Sequence, residues 1–326
     1  MSAVAEPQER KIPTSVAPIS LAALKATSAR KLDLYVLGDN GQPALFRSRD
    51  YPITAADFRR MERKQIRTLY VADGTVEKLA AELRENLTEV LSGNKLTDAE
   101  RFHVLRFAME TEVDNAFKRL NANEAITTSR DMGKHLVGML QNSQVVPQQL
   151  YYVMKHDFTT YTHIVNTSSY CVLLAQKLGI TDPQQLQEIA MGGMLHDIGK
   201  MQIPASILQK PGRLTGEEMD IIKRHPTTGY AELCIRTDVT DAQLMMTYQH
   251  HEQLTGGGYP VGCVGDEIHE WAKMCAVVDI FDAVTGERPY RRPMRRVDAL
   301  EMLDGKADTH LDAEMVRCWT SAMDES

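Results

Sequence analysis

Histidines and aspartates in the second half of the chain have the side chains and the spacing needed to bind metal ions. His196 and Asp197 are adjacent, and they follow an apolar run over residues 189–195. An unpaired aspartate is costly to bury, so a buried His-Asp pair needs a partner, and a divalent cation is a suitable one. The alternative is a His and an Asp at a helix end that hydrogen-bond to nearby backbone. For an isolated His-Asp dipeptide this second role is the usual one, so the metal-binding role depends on the rest of the sequence.

Further metal-competent side chains recur about 25 to 33 residues apart along the same half of the chain. At this spacing each could occupy a separate helix, and facing helices of a bundle can project imidazoles and carboxylates inward to hold two metals. Each position taken alone fits a structural role. Together, five imidazoles and two carboxylates suit two cations that share one aspartate: His163, His196, Asp197, His225, His250, His251 and Asp279.

Helical patterns predict where these side chains lie. A helix that contains His163 runs to Leu178 and ends at Gly179, and His225 precedes Pro226 at a helix boundary. His250 and His251 end a helix over 242–249, just before a glycine-rich loop. Asp279 and Asp282 lie one turn apart in the apolar stretch 275–283.

The first part of the chain has a different pattern. Residues 1–30 are polar and contain several prolines, and we expect a flexible arm there. Strands are predicted over 32–37, 44–47 and 68–71, with a hairpin turn at 38–41 and a helix from Thr54 to about Lys64. This ββαβ unit holds no catalytic constellation, so we interpret residues 31–74 as a small α+β regulatory or docking domain.

Helical periodicity then dominates the chain. Apolar positions recur from Thr75 to about Leu91, residues 92–94 break the pattern, and a long helical region follows over 97–141 with an interruption near 121–123. We expect linker helices over 75–145 and a helical catalytic domain over 146–326. His103 and His135, within the linker, are interpreted as non-ligands. The predicted fold class is mainly α, a helical bundle with a small N-terminal α+β domain.

Composition narrows the function classes. The 326 residues are 43% hydrophobic and 25% charged, with a net charge of -7. This acidic balance argues against a nucleic-acid polymer or a membrane surface as partner, so a polyanionic ligand would need a local basic patch. The five cysteines have no CxxC spacing, and we see neither a signal peptide nor a membrane span. We therefore expect reduced thiols and a cytoplasmic location.

Several ordered motifs over about residues 150–300 resemble those of one known group. They are the segments 196–200 (HDIGK), 203–204 (IP), 207–214 (ILQKPGRL), 225–229 (HPTTG), 250–252 (HHE), 258–260 (GYP) and 279–291. The chain resembles the HD-GYP subgroup of the HD-domain phosphohydrolases, which degrade cyclic di-GMP. The resemblance implies an HD-type helical bundle and a metal-dependent cyclic di-GMP phosphodiesterase.

The resemblance also implies residue roles. One metal would be held by His163, His196, Asp197 and Asp279, and Asp197 would bridge to a second metal held by His225, His250 and His251. Asp197 and Lys200 are the catalytic candidates, with Lys200 beside the scissile phosphate. The remaining substrate-binding candidates are two arginines, whose planar guanidinium groups suit phosphates, and the residues at the lip of the pocket: Arg288, Arg291, Tyr259 and Pro260.

Four positions depart from the family pattern. Thr159 replaces the glutamate that accompanies a third metal, which favours a two-metal centre. Gln253 and Thr255 replace the usual arginine and aspartate beside the pocket, and this loss bears on substrate affinity and on loop order. His269 replaces a usual proline and is interpreted as a surface or supporting residue.

The expected reaction is hydrolysis of a 3′–5′ phosphodiester by a hydroxide that bridges two cations roughly 3.5–4 Å apart. It would give linear pGpG and, with further cleavage, GMP. The resemblance favours iron or manganese, and imidazole and carboxylate ligands also suit zinc or nickel.

Two alternatives stay open. One is a catalytically weak module that binds cyclic di-GMP or a protein, and the other is a phosphohydrolase of another cyclic dinucleotide. The expected partners are cyclic di-GMP and, through the N-terminal domain, a second copy of the chain or a signalling protein.

Overall fold

The computed structural model describes residues 13, 15–27, 31–38, 40–64, 66–93, 95–142, 147–154, 160–210, 212–287 and 292–324. The chain forms two compact units, Met1–Ala108 and Met109–Ser326. The boundary between them falls inside one helix, Asp98–Lys118.

A four-stranded antiparallel sheet forms the centre of the first unit. Its spatial order is β1-β4-β2-β3. The predicted ββαβ unit is present as β2, β3, a helix and β4. The strands are β1 (Val16–Ser20), β2 (Leu34–Leu37), β3 (Pro43–Arg47) and β4 (Thr68–Ala72).

The flexible arm predicted for residues 1–30 is wrong for its second half. Val16–Ser20 pairs with β4, and Leu21–Ala26 forms helix α1, which Ser20 caps by accepting a hydrogen bond from the Ala23 backbone N–H. Pro18 is tolerated because β1 is an edge strand. Ile19 and the first four residues of α1 are buried, so apolar burial outweighs the proline signal. Residues 1–12, 14 and 28–30 lie outside the described residues.

One helix lies between β3 and β4 in the sequence, and a run of helices follows β4. The predicted break near 121–123 corresponds to a short turn, where Leu120 adopts a positive φ of 50°. The helix predicted over 75–91 is divided at Asn86. The helices are α2 (Ala55–Arg63), α3 (Thr75–Glu85), α4 (Leu87–Ser92), α5 (Asp98–Lys118) and α6 (Ala122–Asn142).

The described part of the second unit is almost entirely helical, as predicted. Short 3₁₀ turns occur at Ile198–Gln202 and Gly265–Glu267. The helices are α7 (Pro147–Met154), α8 (Thr160–Lys177), α9 (Pro183–Leu195), α10 (Ala205–Leu208), α11 (Gly216–Ile222), α12 (His225–Leu233), α13 (Asp241–Gln249), α14 (Glu270–Thr285), α15 (Arg296–Asp304) and α16 (Ala313–Asp324).

Local signals fix several helix ends. Asp182 caps α9 with a 2.8 Å hydrogen bond from the Gln185 backbone N–H, and Pro183 occupies its first turn. Thr215 and Thr240 start α11 and α13 with capping boxes. Gly179 follows α8 with a φ of +88°, which a residue with a side chain rarely adopts.

A buried aromatic cluster joins three helices of the second unit. Tyr170 on α8, Phe281 on α14 and Trp319 on α16 make edge-to-face contacts, with ring centroids 5.1 to 5.8 Å apart. All three are at most 1% exposed. Because such aromatic contacts contribute about 0.5–1.5 kcal/mol beyond area burial, the cluster fixes α14 against α8. Among the described helices, none is long and apolar enough to cross a membrane.

Candidate metal centre

Asp197 lies at a buried helix end. Helix α9 is buried from Ile189 to Leu195, His196 follows as its C-cap, and a 3₁₀ turn begins at Ile198. Gly199 lies in that turn, where an added Cβ would come within 2.7 Å of the Gly229 backbone nitrogen. The glycine therefore allows the turn to pack directly on α12, the helix that begins with His225.

The two carboxylate oxygens of Asp197 face different groups of imidazoles. Oδ1 lies 3.2 Å from His225 Nε2 and 3.9 Å from His250 Nε2. Oδ2 lies 3.4 Å from His196 Nε2 and 3.9 Å from His163 Nε2. This is the geometry expected of a carboxylate shared between two adjacent cation sites.

Backbone carbonyls determine the tautomer of three imidazoles. The Nδ1 atoms of His196, His225 and His250 lie 2.7 to 3.0 Å from the carbonyl oxygens of Gly193, Ile222 and Met246, respectively. A carbonyl oxygen only accepts, so each Nδ1 carries the proton and donates it. In the neutral ring, each Nε2 is then left with its lone pair directed toward Asp197.

Unpaired acceptors therefore meet in a buried space. Nε2 of His225 and Nε2 of His250 are 3.1 Å apart, and neither carries a proton to share. Burial lowers the pKa of His225 to about 3 and that of His250 well below its ordinary value, so both rings stay neutral. His196 Nε2 and Asp197 Oδ1 have no hydrogen-bond partner among the described atoms. Such a set of acceptors fits a divalent cation.

The side chains form two potential metal-binding groups. One is His163, His196 and Asp197, and the other is His225, His250 and His251. Within each group, the nitrogen and oxygen atoms that could bind a metal lie within 4.8 Å of one another. Burial also lowers the pKa of His251, to about 4, which keeps its imidazole available as a ligand.

Asp279 joins the first group from α14. Its Oδ1 lies 2.9 Å from His163 Nε2, and both residues are buried. Burial alone would lower the pKa of His163, but hydrogen bonds to Asp279 and Asp282 outweigh it and raise the pKa to about 9. In the protein without metal, a proton is therefore shared between His163 and Asp279.

Lys200 forms an ion pair with Asp197. Its Nζ donates a 2.5 Å hydrogen bond to Asp197 Oδ2, and its side chain is 20% exposed. Burial would raise the pKa of Asp197, but Lys200 and the neighbouring imidazoles outweigh it and hold that pKa well below its usual range. The ammonium group therefore reaches from the buried carboxylate to the open side of the site.

Tyr259 covers one imidazole of the second group. Its ring stacks on His251 with centroids 4.7 Å apart, and its backbone N–H donates a 3.2 Å hydrogen bond to the His251 carbonyl. Burial raises the pKa of the phenol, so it stays neutral. The glycine-rich loop thus borders the metal centre, and Pro260 follows in the same loop.

Glu252 supports this loop, a role that sequence reasoning missed. Its buried carboxylate accepts hydrogen bonds of 2.8 to 3.1 Å from the backbone N–H groups of Val261, Gly262 and Cys263. Gly258 passes so close that an added Cβ would lie 2.5 Å from the Gln253 nitrogen. The only sequence signal for this role was the glutamate directly after the two histidines.

Lys223 is a second residue that sequence reasoning missed. It is the C-cap residue of α11, and its Nζ lies 5.6 Å from the centre of the Tyr259 ring. It has no ion-pair partner among the described residues. An ammonium group beside the aromatic ring supplies part of the local positive charge that an acidic chain needs for an anionic ligand.

Only some of the other positions singled out in the sequence lie within the described residues. Arg288, Arg291 and Thr159 lie outside the described residues. The Gln253 carbonyl accepts a hydrogen bond from the Gly256 N–H, and the backbone N–H groups of the next two residues, Leu254 and Thr255, donate to His310 and Thr309. His269 caps α14 by accepting from the Trp271 N–H, in agreement with a supporting role.

A family model for the HD domain matches residues 122–315. A relative from Pseudomonas aeruginosa, named cyclic di-GMP phosphodiesterase PA4108, is 35% identical over 51% of this chain and 40% of its own length. A Vibrio cholerae relative, named 3′3′-cGAMP-specific phosphodiesterase 2, is 27% identical over 92% of this chain and 53% of its own length. The chain thus spans about half or less of these relatives.

A solved structure shares the fold. It is Bd1817, described as a HDG"Y"P protein from Bdellovibrio bacteriovorus, with a TM-score of 0.67 and 19% sequence identity. The match covers 95% of this chain and the whole of that one. At this identity the likeness establishes a common architecture and nothing more.

Proposed function

The chain belongs to the HD domain family, and from this premise we propose that it is an HD-GYP enzyme that hydrolyses cyclic di-GMP with the help of two divalent metal ions. The observation that carries the proposal is the set of unpaired, unprotonated acceptors around the two oxygens of Asp197. The name of the Pseudomonas aeruginosa relative supports the substrate.

The proposed ligands form two sets that share the Asp197 carboxylate. His163, His196 and Asp279 would hold one metal with Asp197, and His225, His250 and His251 would hold the other with the same carboxylate. When bound, the cations supply Lewis acidity and lower the pKa of water toward neutrality. Iron or manganese is the proposed metal, with zinc and nickel as chemically acceptable substitutes.

The protein's own groups would orient the phosphodiester. The Lys200 ammonium lies within reach of an anionic oxygen held beside Asp197, where it would stabilise charge on the phosphate or protonate the leaving oxygen. Tyr259 and Lys223 would border the bound dinucleotide, and Arg288 and Arg291 would bind phosphate through their guanidinium groups. The neutral Tyr259 ring also limits access of water from its side.

The proposed product is linear pGpG, followed by GMP when the second linkage is cut as well. The expected location stays cytoplasmic, and a homodimer or a signalling partner at the N-terminal domain stays a prediction. The alternative of a binding or docking module with weak catalysis rests on Gln253 and Thr255, which stand where the subgroup has arginine and aspartate.

The direct test is turnover of cyclic di-GMP by protein loaded with Mn²⁺ or, without oxygen, with Fe²⁺. We expect hydrolysis that Asp197→Asn reduces by at least about 100-fold, because the substitution removes the charge shared by both cations. Metal content and circular dichroism of the variant serve as controls. Binding of cyclic di-GMP without cleavage by the metal-loaded protein would instead support the binding-module alternative.

A second candidate substrate is 3′3′-cGAMP, and it is favoured by one observation. The relative that matches 92% of this chain bears the name of a phosphodiesterase specific for that hybrid dinucleotide. Rates measured side by side on both dinucleotides decide between the candidates. A kcat/KM at least about tenfold higher on one substrate assigns the preference, since a factor of ten corresponds to about 1.4 kcal/mol in the transition state.

A further inference from the structure

The imidazoles around Asp197 differ in the group that lies within hydrogen-bond distance of their Nδ1 atoms. Three of them donate their Nδ1 proton to a neutral backbone carbonyl: His196, His225 and His250. His163 differs, because its Nδ1 lies 2.7 Å from a carboxylate oxygen of Asp282. Among these four rings, only that of His163 has a carboxylate as the hydrogen-bond partner of its Nδ1.

Asp282 is well placed to act on His163. Its side chain is 4% exposed, one oxygen contacts His163 and the other accepts a 2.8 Å hydrogen bond from the Asn166 amide. Asp282 lies one turn after Asp279 on α14, and Phe281 between them belongs to the aromatic cluster that fixes α14 against α8. Both oxygens are thus engaged with α8, the helix that carries His163.

We propose that Asp282 is a positioning residue that makes the His163 site the tighter of the two metal sites. A carboxylate that accepts the Nδ1 proton orients the ring and increases the electron density at Nε2, and so strengthens its bond to a cation. The His163 site also contains the charged Asp279 in addition to Asp197. The second site consists of three neutral imidazoles, and Asp197 is its single carboxylate. This inference rests on the proposed metal centre but not on the identity of the substrate.

The test is a titration of metal-free protein with Co²⁺, followed by absorption spectroscopy and by metal analysis. We expect two equivalents to bind in separate steps. Asp282→Asn should weaken the tighter step by about 10- to 100-fold and leave the weaker step unchanged, since loss of such a supporting carboxylate has that effect in metal sites. The amide offers one oxygen to two donors, His163 and Asn166, and carries no charge.

Thr285→Val is the matched control. Thr285 is also buried on α14, and its hydroxyl donates only to the Phe281 carbonyl, so its removal should leave both Co²⁺ steps unchanged. A His163→Ala background tests the route of the effect: adding Asp282→Asn there should leave the remaining Co²⁺ affinity unchanged. A further effect in that background would show that Asp282 acts other than through His163 and would overturn the proposal.

A second comparison does not depend on the folding of the Asp282 variant. His251→Ala should retain the tighter Co²⁺ step, and His163→Ala should lose it. The reverse order, or wild-type affinity at both steps in folded Asp282→Asn, would overturn the proposal. Because no substrate is present, a protein that binds metal as expected but cleaves no dinucleotide would refute the proposed function and leave this inference standing.

Discussion

Lys200 is the charged side chain that links the buried carboxylate of Asp197 to the open side of the site. Lys200→Met keeps much of the side chain's length and removes its charge. We expect kcat to fall by about 10²–10³-fold, the usual effect of removing one donor aimed at developing charge, while both metals are retained. Steady-state kinetics with parallel metal analysis measure this. A variant with unchanged kcat would show that the ammonium has no role in the reaction.

Lys223 allows a separate prediction, because it lies at the rim beside Tyr259 and not at Asp197. Lys223→Met should raise KM by roughly fivefold, or about 1 kcal/mol, with little change in kcat, since an exposed charge at the rim affects binding more than chemistry. The effect should shrink at high ionic strength because of screening. Lys134→Met, which removes an equal charge paired with Asp131 on α6, is the control and should leave KM unchanged.

Sequence reasoning singled out metal-competent residues that lie close together in the structure, but it missed the groups that support them. Asp197 and the imidazoles are detectable because their chemical types and motif spacing are unusual. Glu252 and Lys223 act through contacts with Val261–Cys263 and Tyr259 that no local pattern encodes. Asp282 was noticed as a carboxylate one turn from Asp279, but only packing of α14 against α8 shows that it faces His163.

At the scale of elements, the loop after α13 depends on very close backbone packing. In Gly258→Ala, the new Cβ would lie 2.5 Å from the Gln253 nitrogen and 2.6 Å from the His251 carbonyl oxygen, and backbone atoms cannot easily move aside. We expect a loss of about 1–3 kcal/mol in the free energy of unfolding, together with lower activity because Tyr259 is displaced from His251. Urea denaturation and steady-state kinetics measure the two effects.

Gly138→Ala is the contrasting control for that substitution. Gly138 lies within α6, and nothing lies within 4 Å of an added Cβ. Because glycine costs more conformational entropy than alanine in a helix, the variant should be more stable by about 0.5–1 kcal/mol, with unchanged activity. Destabilisation by both substitutions would argue against the steric explanation for Gly258.

The element pattern was largely predictable, and its main error has a physical cause. The periodicity of apolar residues predicts α3 to α6 and the helices that carry the ligands, because each buries one face against neighbours. Strand β1 was missed because it pairs with β4, more than forty residues further along the chain, and a five-residue strand that contains Pro18 has no distinctive local pattern. Non-local pairing of this kind leaves little trace in a single sequence.

At the scale of the whole molecule, buried imidazoles make the stability of the metal-free protein depend on pH. Burial lowers the pKa of His225 to about 3 and that of His251 to about 4, whereas an unfolded histidine titrates near 6.5. Below pH 6.5 the unfolded chain therefore binds more protons at these residues than the folded one. Because of these two histidines, the free energy of unfolding decreases as the pH falls from 6.5 toward 4.

His163 has the opposite dependence. Burial acts to lower its pKa, but bonds to Asp279 and Asp282 raise it to about 9, so its stabilising contribution is complete below pH 6.5 and is lost as the pH rises through 9. Together these histidines place maximum stability of the metal-free protein near pH 6.5. Urea unfolding at pH 5, 6.5 and 8.5 tests this, with the fluorescence of the two buried tryptophans, Trp271 and Trp319, as the probe. Stability that rises steadily from pH 5 to 8.5 would contradict it.

The backbone bonds from Leu254 and Thr255 to His310 and Thr309 tie the rim of the metal centre to the segment between α15 and α16. Neither α15 nor α16 carries any residue assigned to metal or substrate. A premature stop codon shortly after α15 would nevertheless remove the anchor of this rim and leave every metal-binding side chain encoded. The segment between α15 and α16 therefore supports the rim of the proposed active site mechanically, and a truncated gene that preserves all the motifs should not be assumed to encode a protein with an intact rim.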